Sequence, residues 1–189
     1  MRETEVMIPC RLSYAHIWER RRNEDGSEGK YSAALLFDKS DEELLRKVKA
    51  AIEAVKTSPK GKQKLANSKG VIPHNIKTPI RDGDDMDRPE FEGCWFINAS
   101  SNAAPPVFNR HRERLSVDNG DESEIYSGVY CNVKVNFYAF NFSGSRGIAA
   151  GLQGLQKVRD GEHFGGGMAA ASDFEDLDED ADNSDFDIF

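Results

Sequence analysis

From Val129 to Phe142 the chain is at its most regular, alternating between two kinds of side chain, and no other stretch restricts the fold as tightly. Odd positions carry Val129, Cys131, Val133, Val135, Phe137 and Ala139; even positions carry Tyr130, Asn132, Lys134, Asn136, Tyr138, Phe140 and Phe142. Successive side chains of an extended strand point to opposite faces, so one face is aliphatic and the other holds rings, amides and a lysine. The second face is poorly suited to a core, because burying an unpaired lysine or amide costs several kcal/mol. Rings interleaved with cations are the chemistry that holds unpaired nucleic acid: bases stack on rings at ~1–3 kcal/mol each and cations track the phosphates. Tyr130, Tyr138 and Phe140 are candidate stacking residues, and Lys134 a candidate phosphate ligand. The competing assignment packs these rings beneath a helix or a second sheet layer.

The remaining periodicities describe a small β-protein with one clear helix. From Val6, the set Val6, Ile8, Cys10, Leu12, Tyr14, His16, Trp18 falls on every second residue and marks a strand with a core-like face, with Pro9 placing it near an edge or bulge. Residues 20–29 are a polar, Gly-containing connection to a second strand, Lys30 to Phe37, which together predict a hairpin with a basic loop. Ser40-Asp41-Glu42-Glu43 reads as a capping box with Ser40 at the cap. It opens a helix with Leu44, Leu45, Val48, Ala51, Ile52 and Val55 on one face, ending near Ser58 before Pro59. The Lys-rich residues 60–70 suggest a short, poorly anchored helix, and residues 71–93, with three prolines, a long loop. Trp95 to Ser100 is a short strand, and a last one runs from Gly147 to Val158. Several strands and one long helix in about 160 residues predict an OB-fold-like small β-barrel with an added helix, occupying residues 1–164.

The last seventeen residues, Asp173 to Phe189, are a different object. They hold nine carboxylates and no Lys or Arg; removing those nine from 33 acidic residues leaves 24 against 25 basic ones, so residues 1–172 are at +1 while the whole chain is at −8. A block of like charge repels itself and stays solvated, so residues 165–189 are expected to form a flexible Gly-rich linker and a disordered acidic tail. Its apolar end, Phe186-Asp187-Ile188-Phe189, is the candidate contact for a partner protein. The expectation is a body that binds nucleic acid and a tail that competes with it and recruits partners.

The other polar clusters divide into cationic and acidic groups. Arg20, Arg21 and Arg22 follow Trp18, and Arg110, Arg112 and Arg114 flank His111 near Phe108; both runs lie in expected loops at strand ends, where an OB barrel grips its ligand. Asp82, Asp84, Asp85 and Asp87 resemble an oxygen-ligand set for magnesium or calcium, which raises a metal-dependent nuclease as an alternative, although no base-bearing motif is adjacent. A solvated turn at Asp82-Gly83 accounts for them more simply. Cys10, Cys94 and Cys131 have neither metal-ligand nor redox spacing and are expected to be reduced, mostly buried thiols. His16, His74, His111 and His163 match no zinc pattern, and no phosphate loop or nucleophile elbow is present, so no enzyme, cofactor or metal is expected. The longest apolar run, Ala33 to Phe37, is far shorter than the roughly 20 residues of a membrane span, and no signal peptide is visible, which predicts a soluble cytoplasmic protein. An adaptor or DNA mimic acting through its acidic tail alone is the third alternative.

Several stretches together resemble a family of bacteriophage single-stranded DNA-binding proteins. They are Lys30-Tyr31-Ser32, residues 93–100 (GCWFINAS), Tyr126-Ser127-Gly128-Val129-Tyr130, residues 135–141 (VNFYAFN), and residues 147–153 (GIAAGLQ) continuing to 157–162 (KVRDGE). The resemblance implies an OB-fold that coats single-stranded DNA during phage replication and recombination, in the cytoplasm of the infected host, with an acidic tail that contacts replication proteins. It implies no catalytic residues. The long helix after the second strand and the 59–93 insertion depart from a minimal OB barrel. From the strand-face argument the expected DNA ligands are Trp18, Arg20, Arg21, Arg22, Lys30, Arg110, Arg112, Tyr130, Lys134, Tyr138 and Phe140; a homodimer is compatible with the sequence.

Overall fold

The computed structural model describes residues 1–165. The linker and tail beyond them, including Phe186, Asp187, Ile188 and Phe189, lie outside the described residues. The chain runs β1 (Glu5–His16), β2 (Tyr31–Asp38), α1 (Glu42–Thr57), α2 (Pro59–Leu65), β3 (Ile80–Asp82), β4 (Cys94–Ser101), β5 (Val107–Phe108), β6 (Arg114–Leu115), β7 (Tyr130–Phe142) and β8 (Ser145–Arg159), with short 3-10 turns between some of them. Strand order is β3-β4-β2-β1-β7-β8-β5-β6, and β4 also pairs in parallel with β8 through Ala99 with Ala150 and Ser100 with Gly151. That contact closes β1, β2, β4, β8 and β7 into a five-stranded OB-like barrel.

The inward faces follow the alternation of β7. Cys131, Val133, Val135, Phe137 and Ala139 are buried, facing Ile8, Leu12, Leu35, Ile97 and Leu155 in one apolar core. Cys10 and Cys131 are aligned neighbours on β1 and β7, and burial pushes the Cys131 thiol up to about 12 and that of Cys10 in the same direction. Both are therefore neutral packing groups. Leu44, Val48, Ala51, Ile52 and Val55 of α1 join the same core. α2 is firmly anchored, contrary to expectation: Leu65 is fully buried, and a side chain at Gly61 would place its Cβ 1.8 Å from the Val55 carbonyl oxygen. The α1–α2 elbow thus requires glycine there.

Three local details differ from the sequence-based expectation. The α1 cap is Asp41, whose side chain accepts a hydrogen bond from the Leu44 amide at 3.0 Å, while Ser40 is held in the preceding turn by Asp38. The alternation of β1 breaks before Trp18: Tyr14 has φ 48°, the pairing with β2 shifts between Ser13 and His16, and Ser13 and Ile17 turn inward. This bulge swings Tyr14 out to 42 % exposure. Finally, residues 71–93 are not all loop, since β3 adds to the free edge of β4.

Candidate nucleic-acid interface

The outer side of β2 and β4 carries a second chemistry. Ala33, Leu35 and Phe37 fill the barrel, so Ser32, Ala34 and Leu36 face outward beside their partners Ser100, Asn98 and Phe96. β3 sets Arg81 next to Phe96. Small side chains at Ser32, Ala34 and Ser100 leave a trough of about 460 Å³, within the usual range for ligand clefts. Its lining includes Tyr14 and His16 at the end of β1, Arg21 from the 17–30 loop, and Met86 and the buried Phe91 from the segment before β4.

Beneath the trough lies a small separate core of Ala34, Leu36, Phe91 and Phe96. The Phe91 and Phe96 rings meet edge to face at 4.9 Å, and Tyr14 leans on Phe91 at 6.2 Å. Phe91 and Phe96 are sealed, whereas Tyr14 offers an exposed ring. Guanidinium groups lie over two of these rings, Arg81 at 5.3 Å from Phe96 and Arg88 at 5.1 Å from Tyr14. Arg21 and Arg81 have no ion-pair partner among the described residues. In an OB barrel this face, flanked by the first and last interstrand loops, is where oligonucleotides lie.

The residues singled out from sequence fall into separate groups. Arg20, Arg21, Arg22 and Lys30 gather in the loop beside the trough; only Arg21 lines it, and Arg20 is engaged by the Asn102 carbonyl at 2.7 Å and by the Tyr31 ring at 5.5 Å. Trp18 is partly buried against the core and donates its indole N–H to the Glu122 carbonyl at 3.0 Å, so its ring has a packing role in the free protein. Tyr130 is also occupied. Arg159 lies 3.5 Å and Arg11 5.1 Å from its ring centre, and Gly161 crowds its edge. Arg112 and Lys134 share a different cavity with Met7 and Phe108, where Lys134 is paired with Glu5 at 3.5 Å; Arg110 stands exposed on the nearby β5–β6 turn.

Tyr138 and Phe140 connect to the trough through β8. Across the sheet, Ser32 aligns with Ser100, Ser100 with Gly151, and Gly151 with Asn136, all on the outward side. One step further along β7, Tyr138 is 39 % exposed and its ring lies over Gly151, 3.5 Å from where a Cβ would be. Phe140 lies half-buried over Gly147 in the same way. The outward face of the β7 strand is therefore an aromatic row resting on small β8 residues.

The Asp82 to Asp87 cluster has a structural use. Lys39 bridges Asp82 and Asp84, Asp82 accepts from the Asp84 amide, and Asp84 accepts from the Gly93 amide at 2.7 Å. Hydrogen bonding to Lys39 holds both carboxyls below the ordinary aspartate range. These two acids tie the β2–α1 turn to the β3–β4 connection, and a lysine occupies the position that the nuclease alternative needs for a cation.

Tyr14, His16, Arg81, Arg88, Phe91, Phe96 and Asn98 were not selected from the sequence. One signal was available: Ala33 to Phe37 is apolar without alternation, and such a strand is covered on both faces. Something outside the barrel therefore had to pack on it.

Comparison with known proteins agrees with this architecture. The family profile described as the Enterobacter phage Enc34 ssDNA-binding protein matches residues 4–186. A protein designated p50 from Acyrthosiphon pisum secondary endosymbiont phage 1 is 33% identical over 171 residues, 88% of this chain and 90% of its own. The structure of the single-stranded DNA-binding protein from bacteriophage Enc34 in complex with ssDNA superposes with TM-score 0.70 at 32% identity, covering 85% of this chain and 88% of that one. The gp2.5 single-stranded DNA-binding protein of bacteriophage T7, at TM-score 0.55 and 13% identity over 94% of this chain and all of its own, shares the fold. With a matching profile over nearly its whole length and a closed OB-like barrel, the chain belongs to the family of the Enterobacter phage Enc34 ssDNA-binding protein.

Proposed function

We propose that this protein binds single-stranded DNA without sequence preference, in the trough over β2 and β4. The observation that carries the reading is the convergence, on that barrel face, of an exposed ring, Tyr14, with the guanidiniums of Arg21 and Arg81, which have no ion-pair partner among the described residues. Stacking on a ring is indifferent to base identity, and guanidiniums contact phosphate, so the arrangement suits unpaired polynucleotide of any sequence. Arg20, Arg22 and Lys30 add positive charge beside the trough, while Tyr138 and Phe140 extend the stacking surface across β8. The clamped rings of Trp18 and Tyr130 serve as supports. Arg110, Arg112 and Lys134 provide a flanking cationic surface.

In this reading the protein coats DNA during phage replication and recombination in the cytoplasm of the infected bacterium. Its acidic C-terminus competes with DNA for cationic surface and, once displaced, presents Phe186, Asp187, Ile188 and Phe189 to replication or recombination proteins. A tethered peptide acts at an effective concentration of order millimolar, so even a weak contact suffices. Gel-shift titration of single-stranded and duplex DNA, with the full chain and a variant ending at Ser172, tests both parts. Expected are preference for the single strand and tighter binding by the shortened chain at low salt. No binding by either chain removes the DNA reading, and equal affinities remove tail competition.

A further inference from the structure

We infer that the β7–β8 hairpin is a rigid aromatic finger whose tip, Phe142, stacks on a nucleotide beyond the trough, with Lys77, beside the outer end of the hairpin, contacting phosphate. The inference rests on the trough as the site of single-stranded DNA and extends its path.

Phe142 is 78 % exposed, twice the exposure of Tyr138 on the same face. Among the described residues it belongs to neither apolar core and is not packed against one. The hairpin that carries it is paired to its last residues, Phe142 with Ser145, and closes through Ser143 at φ 49° and Gly144 at φ 81°. Two successive left-handed residues form the tight turn whose twist matches that of the flanking strands, so the ring is held on an ordered support. A preordered ring loses little conformational freedom on binding.

Position links this tip to the trough. Tyr138, Phe140 and Phe142 lie on one face of β7, opposite Ala149, Gly147 and Ser145 of β8. Lys77 pairs with the outer end of the same hairpin, just past its turn: its amide donates to the Arg146 carbonyl at 3.1 Å and its carbonyl accepts from the Ile148 amide at 2.8 Å. Four residues later the same segment delivers Arg81 to the trough. Lys77 is exposed and has no ion-pair partner among the described residues. Arg146 adds a guanidinium whose Nε lacks an acceptor there. Rings on one side and cations on the other thus continue from the trough to the hairpin tip, which is the last interstrand loop of the barrel, a position where OB folds contact ligand.

The test uses the full chain, Phe142→Ala and Phe142→Tyr, with oligothymidylates of about 4, 8, 12 and 16 nucleotides, the span of site sizes known for single OB folds. Affinity is read by fluorescence anisotropy and folding by thermal melting. The shortest oligonucleotide should bind Phe142→Ala and the unaltered chain equally. Longer ones should lose about 5- to 150-fold with Phe142→Ala, the range for one base stack, and recover with Phe142→Tyr. Equal affinities at every length overturn the inference, as does a loss already complete with the shortest oligonucleotide. Failure of the unaltered chain to bind any length would instead refute the trough itself.

Discussion

Replacing Arg21 and Arg81 together by alanine should flatten the salt dependence of DNA binding by a calculable amount. Five exposed cations near the trough and the outer end of the hairpin, Arg21, Arg22, Lys30, Lys77 and Arg81, have neither an ion-pair partner nor a carbonyl acceptor among the described residues, so each is available to a phosphate; Arg20 is held by the Asn102 carbonyl and Arg146 is half-buried. Each phosphate neutralised on a single strand contributes a log-log slope of about −0.7, giving about −3.5 for the unaltered chain and about −2.1 for the double variant. Between 50 and 200 mM salt those slopes correspond to affinity losses of about 130-fold and about 20-fold. Neither substitution removes an ion pair among the described residues, and both side chains are exposed, so the fold should be kept. Fluorescence anisotropy of a labelled oligothymidylate over a potassium chloride series measures both slopes. Equal slopes would show that neither arginine meets a phosphate and would refute the placement of DNA in the trough.

Tyr138→Ala should weaken binding of a long oligonucleotide by roughly 1–3 kcal/mol while leaving thermal stability nearly unchanged, because the ring is substantially exposed; a large fall in melting temperature would assign it to packing instead. Leu65→Ala should cost about 2–5 kcal/mol in urea denaturation, as expected of a fully buried leucine, and a loss below 1 kcal/mol would mean that α2 is not anchored as described. Lys39→Met should narrow the stability difference with the unaltered chain as pH falls below about 4. Asp82 and Asp84 are held below their ordinary 3.8, so their contribution is present above that value and lost as acid protonates them in the fold, while Lys39 is shifted upward from 10.5 and stays charged. A gap in urea midpoint that is the same at pH 7 and pH 2.5 would contradict the ion-paired knot.

Strands with one buried face declared themselves in the residues. In β7 every odd side chain from Cys131 to Ala139 is core and every even one faces outward, because period two survives wherever only one side is covered. α1 was legible for the corresponding reason at helical spacing. The trough was harder to read because its parts are brought together by topology: Tyr14 by a bulge, Arg81 by a three-residue strand within an apparent loop, and Phe91 by a turn packed outside the barrel. Arg81 and Phe91 carry no periodic signal, and the alternation of β1 assigned Tyr14 to the core-like face that the bulge takes it away from. Trp18 and Tyr130 show the converse limit, since an aromatic beside arginines reads as a stacking platform in the sequence, while the contacts it makes within its own chain are visible only in the fold.

A single added carboxylate on the floor of the trough probes the location of DNA most directly. Asn98 is exposed and faces outward from β4, and Ala50 lies on the solvent side of α1, so Asn98→Glu and Ala50→Glu add the same charge at two places without disturbing the core. Binding of single-stranded DNA, measured by anisotropy at low salt, should fall at least about tenfold for Asn98→Glu, consistent with a like charge against the phosphate path, and stay near the unaltered value for Ala50→Glu. Equal affinities for the two variants would place the DNA elsewhere on the molecule.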